Sequence, residues 1–125
     1  MDEDGIGKPI VPAAMQVHTA LGAGLLESTY EACLAYELAK RGLMFERQVS
    51  MPVIYKSVRM DAGYRIDLLL GQKVVVEIKA VDREIPAHLA QILTYLKLGG
   101  YKLGFLLNFN VAHMRDGIKR VVNGL

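Results

Sequence analysis

The sequence contains a single cysteine, Cys33, no tryptophan and no long apolar run. With one cysteine, neither a disulfide within the chain nor a cysteine-based zinc site can form. No apolar stretch reaches the roughly 18 residues that a membrane-spanning helix requires. The first residues are acidic and do not place a basic segment before an apolar one, so they do not resemble a signal peptide. These absences predict a soluble, cytoplasmic protein with no membrane contact.

Composition and charge are typical of a globular domain. Hydrophobic residues make up 52% of the 125 residues, and the formal net charge is +2. This hydrophobic content supports a packed core rather than disorder. The length predicts one domain over residues 1–125, of which 1–8 are expected to be loosely ordered. The weak positive charge permits contact with nucleic acid, but a solvated surface explains it without any partner.

Hydrophobic spacing predicts the order helix, helix, three strands, helix, strand. The helices are expected at 11–22, 26–41 and 86–98, and the strands at 45–55, 58–70, 73–81 and 101–109. The β-branched run at 73–81 predicts a central strand that is covered on both faces. A strand, a helix and a returning strand favour a crossover with parallel pairing. The tail at 118–122 fits a strand or a helix. Together these elements predict an α/β fold with helices against a central mixed sheet.

Charged residues interrupt two of the predicted strands. Glu77 and Lys79 lie within an apolar run, and Asp67 ends the preceding strand. Residues two apart in a strand point the same way, so Glu77 and Lys79 share a face. Burying a charge is costly unless it is paired or binds a metal. A hard divalent cation bound by Asp67 and Glu77 beside Lys79 is one explanation. A simple ion pair at a strand end is the other.

Polar residues on two helices are candidates for the same group. His88, Gln91 and Tyr95 are three and four residues apart on the third predicted helix and therefore share a face. Glu27 stands near the start of the second predicted helix, where the helix dipole favours a carboxylate. Plain structural roles also fit, because Glu27 can simply begin its helix and Tyr95 can be a packing residue with a polar tip.

The segment that leads into the second predicted helix reads Gly24-Leu25-Leu26-Glu27-Ser28-Thr29-Tyr30. It resembles the signature of the GxxExxY proteins, small prokaryotic proteins that are grouped with the PD-(D/E)XK nuclease superfamily. The resemblance runs from about Val11 to Val122 and includes Val17-His18, Tyr64-Arg65-Ile66-Asp67, Val76-Glu77-Ile78-Lys79-Ala80-Val81, Gln91-Ile92-Leu93-Thr94-Tyr95-Leu96 and Leu106-Leu107-Asn108-Phe109. A lone Asp and Glu-x-Lys motif is weak, but all these blocks in this order favour membership strongly.

The resemblance implies a restriction-endonuclease-like core, with a central mixed sheet of four to five strands flanked by helices. It also implies that Asp67 and Glu77 are metal-binding carboxylates. The expected cofactor is Mg²⁺ or Mn²⁺, with the carbonyl of Ile78 as a further ligand. One position departs from the family pattern, because Ile66 rather than proline precedes Asp67. That position is lax in the superfamily.

The remaining roles follow from the same resemblance. Lys79 is implied as the active-site lysine, Glu27 as the extra acidic residue of the first helix, and Gln91 as the polar residue of the helix that follows. The implied function is a metal-dependent phosphodiesterase or nuclease acting on DNA or RNA. The alternative is a non-catalytic module that binds nucleic acid or protein on the same fold. Homodimerisation, which would build a longer groove, is compatible with the nuclease.

Overall fold

Three helices precede the first strand. The computed structural model describes residues 1–125, and its helices are α1 (Glu3–Gly7), α2 (Ile10–Leu21), α3 (Glu27–Lys40) and α4 (Pro86–Gly99). Proline at the first position of α4 suits a helix start, because its missing N–H would have no partner there. α4 ends at Gly100, whose left-handed φ of 72° closes the helix. No helix combines the length and the apolar character needed to cross a membrane.

The structure differs from the expectation of a loosely ordered start at residues 1–8. Helix α1 forms here, and its Ile6 is buried in the core. Asp2 caps the helix, since its side chain accepts a hydrogen bond from the backbone N–H of Gly5 at 2.8 Å. The acidic run at the start of the chain therefore supplies a helix cap, and one apolar residue anchors the segment.

Seven strands form two sheets. They are β1 (Phe45–Ser50), β2 (Val53–Tyr55), β3 (Val58–Met60), β4 (Arg65–Leu70), β5 (Val74–Lys79), β6 (Leu103–Asn108) and β7 (Ile118–Val122). The main sheet has the order β1-β4-β5-β6-β7, and β2 pairs with β3 outside it. β5 and β6 are parallel, and the other pairs are antiparallel. The tail at 118–122 is thus a strand, and the predicted mixed sheet is confirmed with five strands.

The two predicted strand regions at 45–55 and 58–70 are each divided. Between β1 and β2 stands Pro52, which has no N–H to donate to a ladder. Between β3 and β4 lies Gly63, with a left-handed φ of 80°. These two breaks separate the hairpin β2–β3 from the main sheet, so that it forms an arm beside β1 and β4.

Helices cover both faces of the main sheet. One buried cluster packs α1, α2 and α3 against one face, and includes Leu68 and Val76 of β4 and β5. A second cluster packs α4 against the other face, and includes Leu69 and Val75. β5 is buried from Val74 to Ile78, as expected for a central strand covered on both sides. α4 provides the crossover between the parallel strands β5 and β6.

Candidate active site

Two carboxylates lie where the ladder between β4 and β5 ends. The last paired residues are Leu68 and Val76. Beyond them the backbone N–H of Ile78 donates to Asp67 Oδ2 at 2.8 Å, and the backbone N–H of Asp67 donates to Glu77 Oε2 at 2.8 Å. Side-chain oxygens thus accept the hydrogen bonds at this end of the strand pair. The same two bonds place the carboxyl groups of Asp67 and Glu77 side by side.

Burial raises the pKa of both carboxyl groups. Glu77 is only 4% exposed, and burial together with the neighbouring charge of Asp67 raises its pKa to about 8. The pKa of Asp67 is also raised by burial, although hydrogen bonds from Ile78 and Gln48 act in the opposite direction. None of the four ion pairs in the protein includes either residue. Without a bound cation Glu77 is therefore largely protonated at neutral pH, and a positive charge bound beside half-buried Asp67 and buried Glu77 would allow both carboxyl groups to ionise.

This donor set fits a small hard cation. Carboxylate oxygens are the ligands that Mg²⁺ prefers, and Mg²⁺ commonly binds through one or two protein carboxylates while keeping several waters. No group of three or more His, Cys, Asp or Glu side chains is arranged to bind a metal. The residues present therefore suit an ion that retains part of its hydration shell better than one that needs a complete protein cage.

A chain of hydrogen bonds connects Lys79 to α4. Lys79 Nζ donates to Gln91 Oε1 at 3.2 Å, and Gln91 Nε2 donates to the hydroxyl of Tyr95 at 3.2 Å. While burial raises the pKa of Asp67 and Glu77, the positive charge of Lys79 lowers it. The ammonium group therefore acts on both carboxylates without forming an ion pair with them. Tyr95 fills a packing position, and its hydroxyl also fixes the amide that contacts the lysine.

Glu27 is not joined to this group. It is the exposed first residue of α3 and makes no side-chain hydrogen bond or ion pair. Glu31, one turn further along α3, is buried, and its Oε1 accepts a hydrogen bond from Gln48 Nε2 at 2.7 Å. The same amide nitrogen donates to Asp67 Oδ1 at 3.2 Å. α3 therefore approaches the carboxylate pair through Glu31.

Sequence reasoning missed Glu31, although a signal was available. Residues four apart on a helix share a face, so Glu27 and Glu31 were equivalent by spacing. The choice between them depends on how α3 packs against the sheet. Glu31 is also fixed by Arg47 of β1, whose Nη2 lies 3.0 Å from Glu31 Oε2.

Gln48 was also missed, and for this residue the sequence carries no signal. It lies in β1 with a left-handed φ of 52°, which is uncommon for a residue other than glycine. In this conformation its side-chain amide donates to Glu31 and to Asp67 at once. Unusual backbone conformations are concentrated at functional sites, where neighbouring interactions maintain them. The contacts of Gln48 with two carboxylates provide such interactions.

The signature from Gly24 to Tyr30 shapes the loop before α3. Gly24 has a left-handed φ of 100°, which favours glycine. The hydroxyl of Tyr30 donates to the carbonyl of Gly22 at 2.6 Å and accepts from the N–H of Leu25 at 3.1 Å. Its ring stacks on Phe109, with centroids 4.6 Å apart. These contacts set the start of α3 and hence the position of Glu31.

Two histidines have structural partners. His18 Nε2 lies 2.8 Å from the carbonyl oxygen of Val111, which ties α2 to the loop after β6. His88 Nδ1 accepts a hydrogen bond from the backbone N–H of Ile85 at 3.2 Å and so satisfies a donor at the start of α4. Neither histidine contacts Asp67 or Glu77, and both are explained by local backbone bonding.

Comparison with protein-family models gives one match, to the PD-(D/E)XK nuclease superfamily over residues 4–121. Searches of curated proteins and of solved structures found no match. The five-stranded mixed sheet flanked by helices is consistent with the restriction-endonuclease-like fold of that superfamily. The match does not by itself confirm the GxxExxY family within it.

Proposed function

We propose that this chain, which belongs to the PD-(D/E)XK nuclease superfamily, is a metal-dependent phosphodiesterase of the GxxExxY family that cleaves DNA or RNA. Membership suggests a nuclease-type function on nucleic acid, and such nucleases are generally dependent on a divalent metal. The observation that carries the proposal is the adjacent pair of half-buried Asp67 and buried Glu77, which forms no ion pair and whose carboxyl groups feel the charge of Lys79.

Each residue of the site has a definite task in this proposal. Asp67 and Glu77, with the carbonyl of Ile78, are the groups that would bind Mg²⁺ or Mn²⁺. The bound ion supplies a water of lowered pKa and neutralises charge on the phosphate oxygens. The ammonium of Lys79 lies where it can orient the attacking water and stabilise the negative charge that develops on the phosphate. Gln91 keeps that ammonium in place from α4.

A cleavage assay tests the proposal directly. Single-stranded DNA, double-stranded DNA and RNA are incubated with wild-type protein and Mg²⁺ or Mn²⁺, and the same reactions are run with Glu77→Ala. We expect metal-dependent cleavage by the wild type and none by the variant, because the variant lacks one of the two metal-binding carboxylates. Absence of both cleavage and metal binding in folded wild type would instead favour the non-catalytic binding module.

Glu31 and Glu27 form a matched pair of variants. Residues that orient a metal ligand typically contribute 10–100-fold to metal affinity, so Glu31→Ala is expected to weaken Mn²⁺ binding by about tenfold or more. The reason is that Gln48, which donates to Asp67, loses its second acceptor. Glu27→Ala is expected to leave the affinity unchanged. Calorimetric titration measures both, with circular dichroism to confirm folding. If Glu27→Ala weakens Mn²⁺ binding and Glu31→Ala does not, Glu27 rather than Glu31 supports the metal site.

A further inference from the structure

A pocket of about 410 Å³ opens between α4 and the start of β4. Its lining includes Val53, Tyr64, Gln91, Thr94, Tyr95 and Leu98. Two of these residues, Gln91 and Tyr95, also form the hydrogen-bonded chain that leads to Lys79. The pocket therefore shares two residues with the candidate active site, and Gln91 in its lining contacts the lysine directly.

An aromatic ring forms one wall of this pocket. Tyr64 is 46% exposed, and its ring meets that of Tyr95 edge to face, with centroids 6.2 Å apart. Its carbonyl accepts a hydrogen bond from the backbone N–H of Met51 at 2.8 Å, so its main chain is tied to the adjacent segment. A flat exposed ring suits stacking with a nucleobase. The amide of Gln91 and the hydroxyl of Thr94 provide polar groups in the same lining for a base edge.

Residues 53–65, a segment with an excess of positive charge, include two residues of the pocket lining, Val53 and Tyr64. Val53 begins β2 and lines the pocket, and the hairpin β2–β3 continues from it. From 53 to 65 the chain carries three basic residues, Lys56, Arg59 and Arg65, against one acidic residue, Asp61. This excess of positive charge suits the phosphates on either side of a bound base. It argues for nucleic acid rather than an apolar peptide as the occupant.

We propose that this pocket binds one unpaired nucleobase beside the phosphate that is cleaved, and that the protein therefore acts on single-stranded nucleic acid. The position of the phosphate rests on the function proposed above. A base in a duplex is stacked and paired, and it would have to leave the helix to reach Tyr64. Tyr64 and the pocket thus distinguish single strands from duplexes.

Binding of labelled oligonucleotides in EDTA, where no metal-dependent cleavage occurs, tests this proposal by fluorescence anisotropy. A series of single strands carries one abasic position at each place in turn. Stacking of one base on an aromatic ring is expected to contribute about tenfold to affinity. One abasic position should therefore weaken binding by about that factor. Tyr64→Ala should weaken binding of the intact strand by a similar factor. Tyr64→Ala combined with the abasic position should weaken binding no more than either change alone.

Two further variants sharpen the result. Tyr64→Phe retains the ring and should bind like the wild type. Tyr36→Ala removes a tyrosine that is 62% exposed on α3, outside the pocket, and should also bind like the wild type. Additive effects of Tyr64→Ala and the abasic position, or equal losses for duplex and single strand, would overturn the base pocket. So would a complete lack of single-strand binding by the wild type.

The outcome is separable from that of the cleavage assay. If the effects of Tyr64→Ala and of one abasic position on affinity are not additive, but the protein cleaves no nucleic acid, the pocket is supported and the nuclease proposal is wrong. Metal-dependent cleavage without any such coupling would keep the nuclease and remove the pocket.

Discussion

Replacing Lys79 with alanine is expected to reduce metal-dependent cleavage by about 10²- to 10³-fold, which is the usual cost of losing one preorganised group that stabilises transition-state charge. The ammonium acts electrostatically on half-buried Asp67 and buried Glu77, and it donates to Gln91 Oε1 at 3.2 Å. Steady-state cleavage of an oligonucleotide in Mg²⁺ measures the effect. The fold should survive, because Lys79 is only partly buried at the end of β5.

A second lysine provides the control. Lys73 lies in the turn before β5, and its Nζ donates to the carbonyl of Met1 at 3.1 Å. Lys73→Ala removes the same charge at a distance from the site and should retain full activity. Circular dichroism and a melting curve verify that both variants are folded. Wild-type cleavage by a folded Lys79→Ala protein would exclude Lys79 from the mechanism.

Without divalent metal, the protein is expected to lose stability as the pH rises from about 4.5 to about 8. In the unfolded chain Glu77 has its ordinary pKa of 4.5, whereas in the folded protein burial, followed by the charge of Asp67, raises the pKa to about 8. The stability due to protonated Glu77 is thus present below the unfolded pKa and is lost as the pH rises through the folded one. At 1.36 kcal/mol per pKa unit, a shift from 4.5 to about 8 corresponds to a total loss on the order of 5 kcal/mol.

Urea unfolding in EDTA at pH 5 and pH 8 measures this loss. Glu77→Gln stays neutral at both pH values and should therefore lack most of the difference. Asp61→Asn, which changes an exposed carboxylate between β3 and β4, should keep it. Mg²⁺ should restore stability at pH 8 in the wild type, because a ligand that binds the folded state stabilises it by mass action. Equal stability of the metal-free wild type at both pH values would contradict the burial of an ionisable Glu77.

Local patterns in the sequence were sufficient for most of the fold. The apolar β-branched run at 73–81 predicted a central strand, observed at Val74–Lys79, and the strand-helix-strand order predicted the parallel crossover from β5 to β6. The same patterns were insufficient where long-range contacts determine whether a segment forms a helix or a strand. The strand at 118–122 forms because it pairs with β6 at the edge of the sheet. Helix α1 is anchored because Ile6 reaches the core, which five residues of local sequence do not reveal.

The sequence by itself determined which residues share a face. Glu77 and Lys79 lie two residues apart on one strand and so share a face, which follows from the backbone period of two whatever the rest of the chain does. Only the tertiary structure decided which α3 carboxylate approaches Asp67. Glu27 and Glu31 are equivalent by helical spacing, and the packing of α3 against the sheet brings Glu31, not Glu27, to Gln48 of β1. Periodicity is a local property of the backbone, whereas the position of one element over another depends on the packing of the whole core.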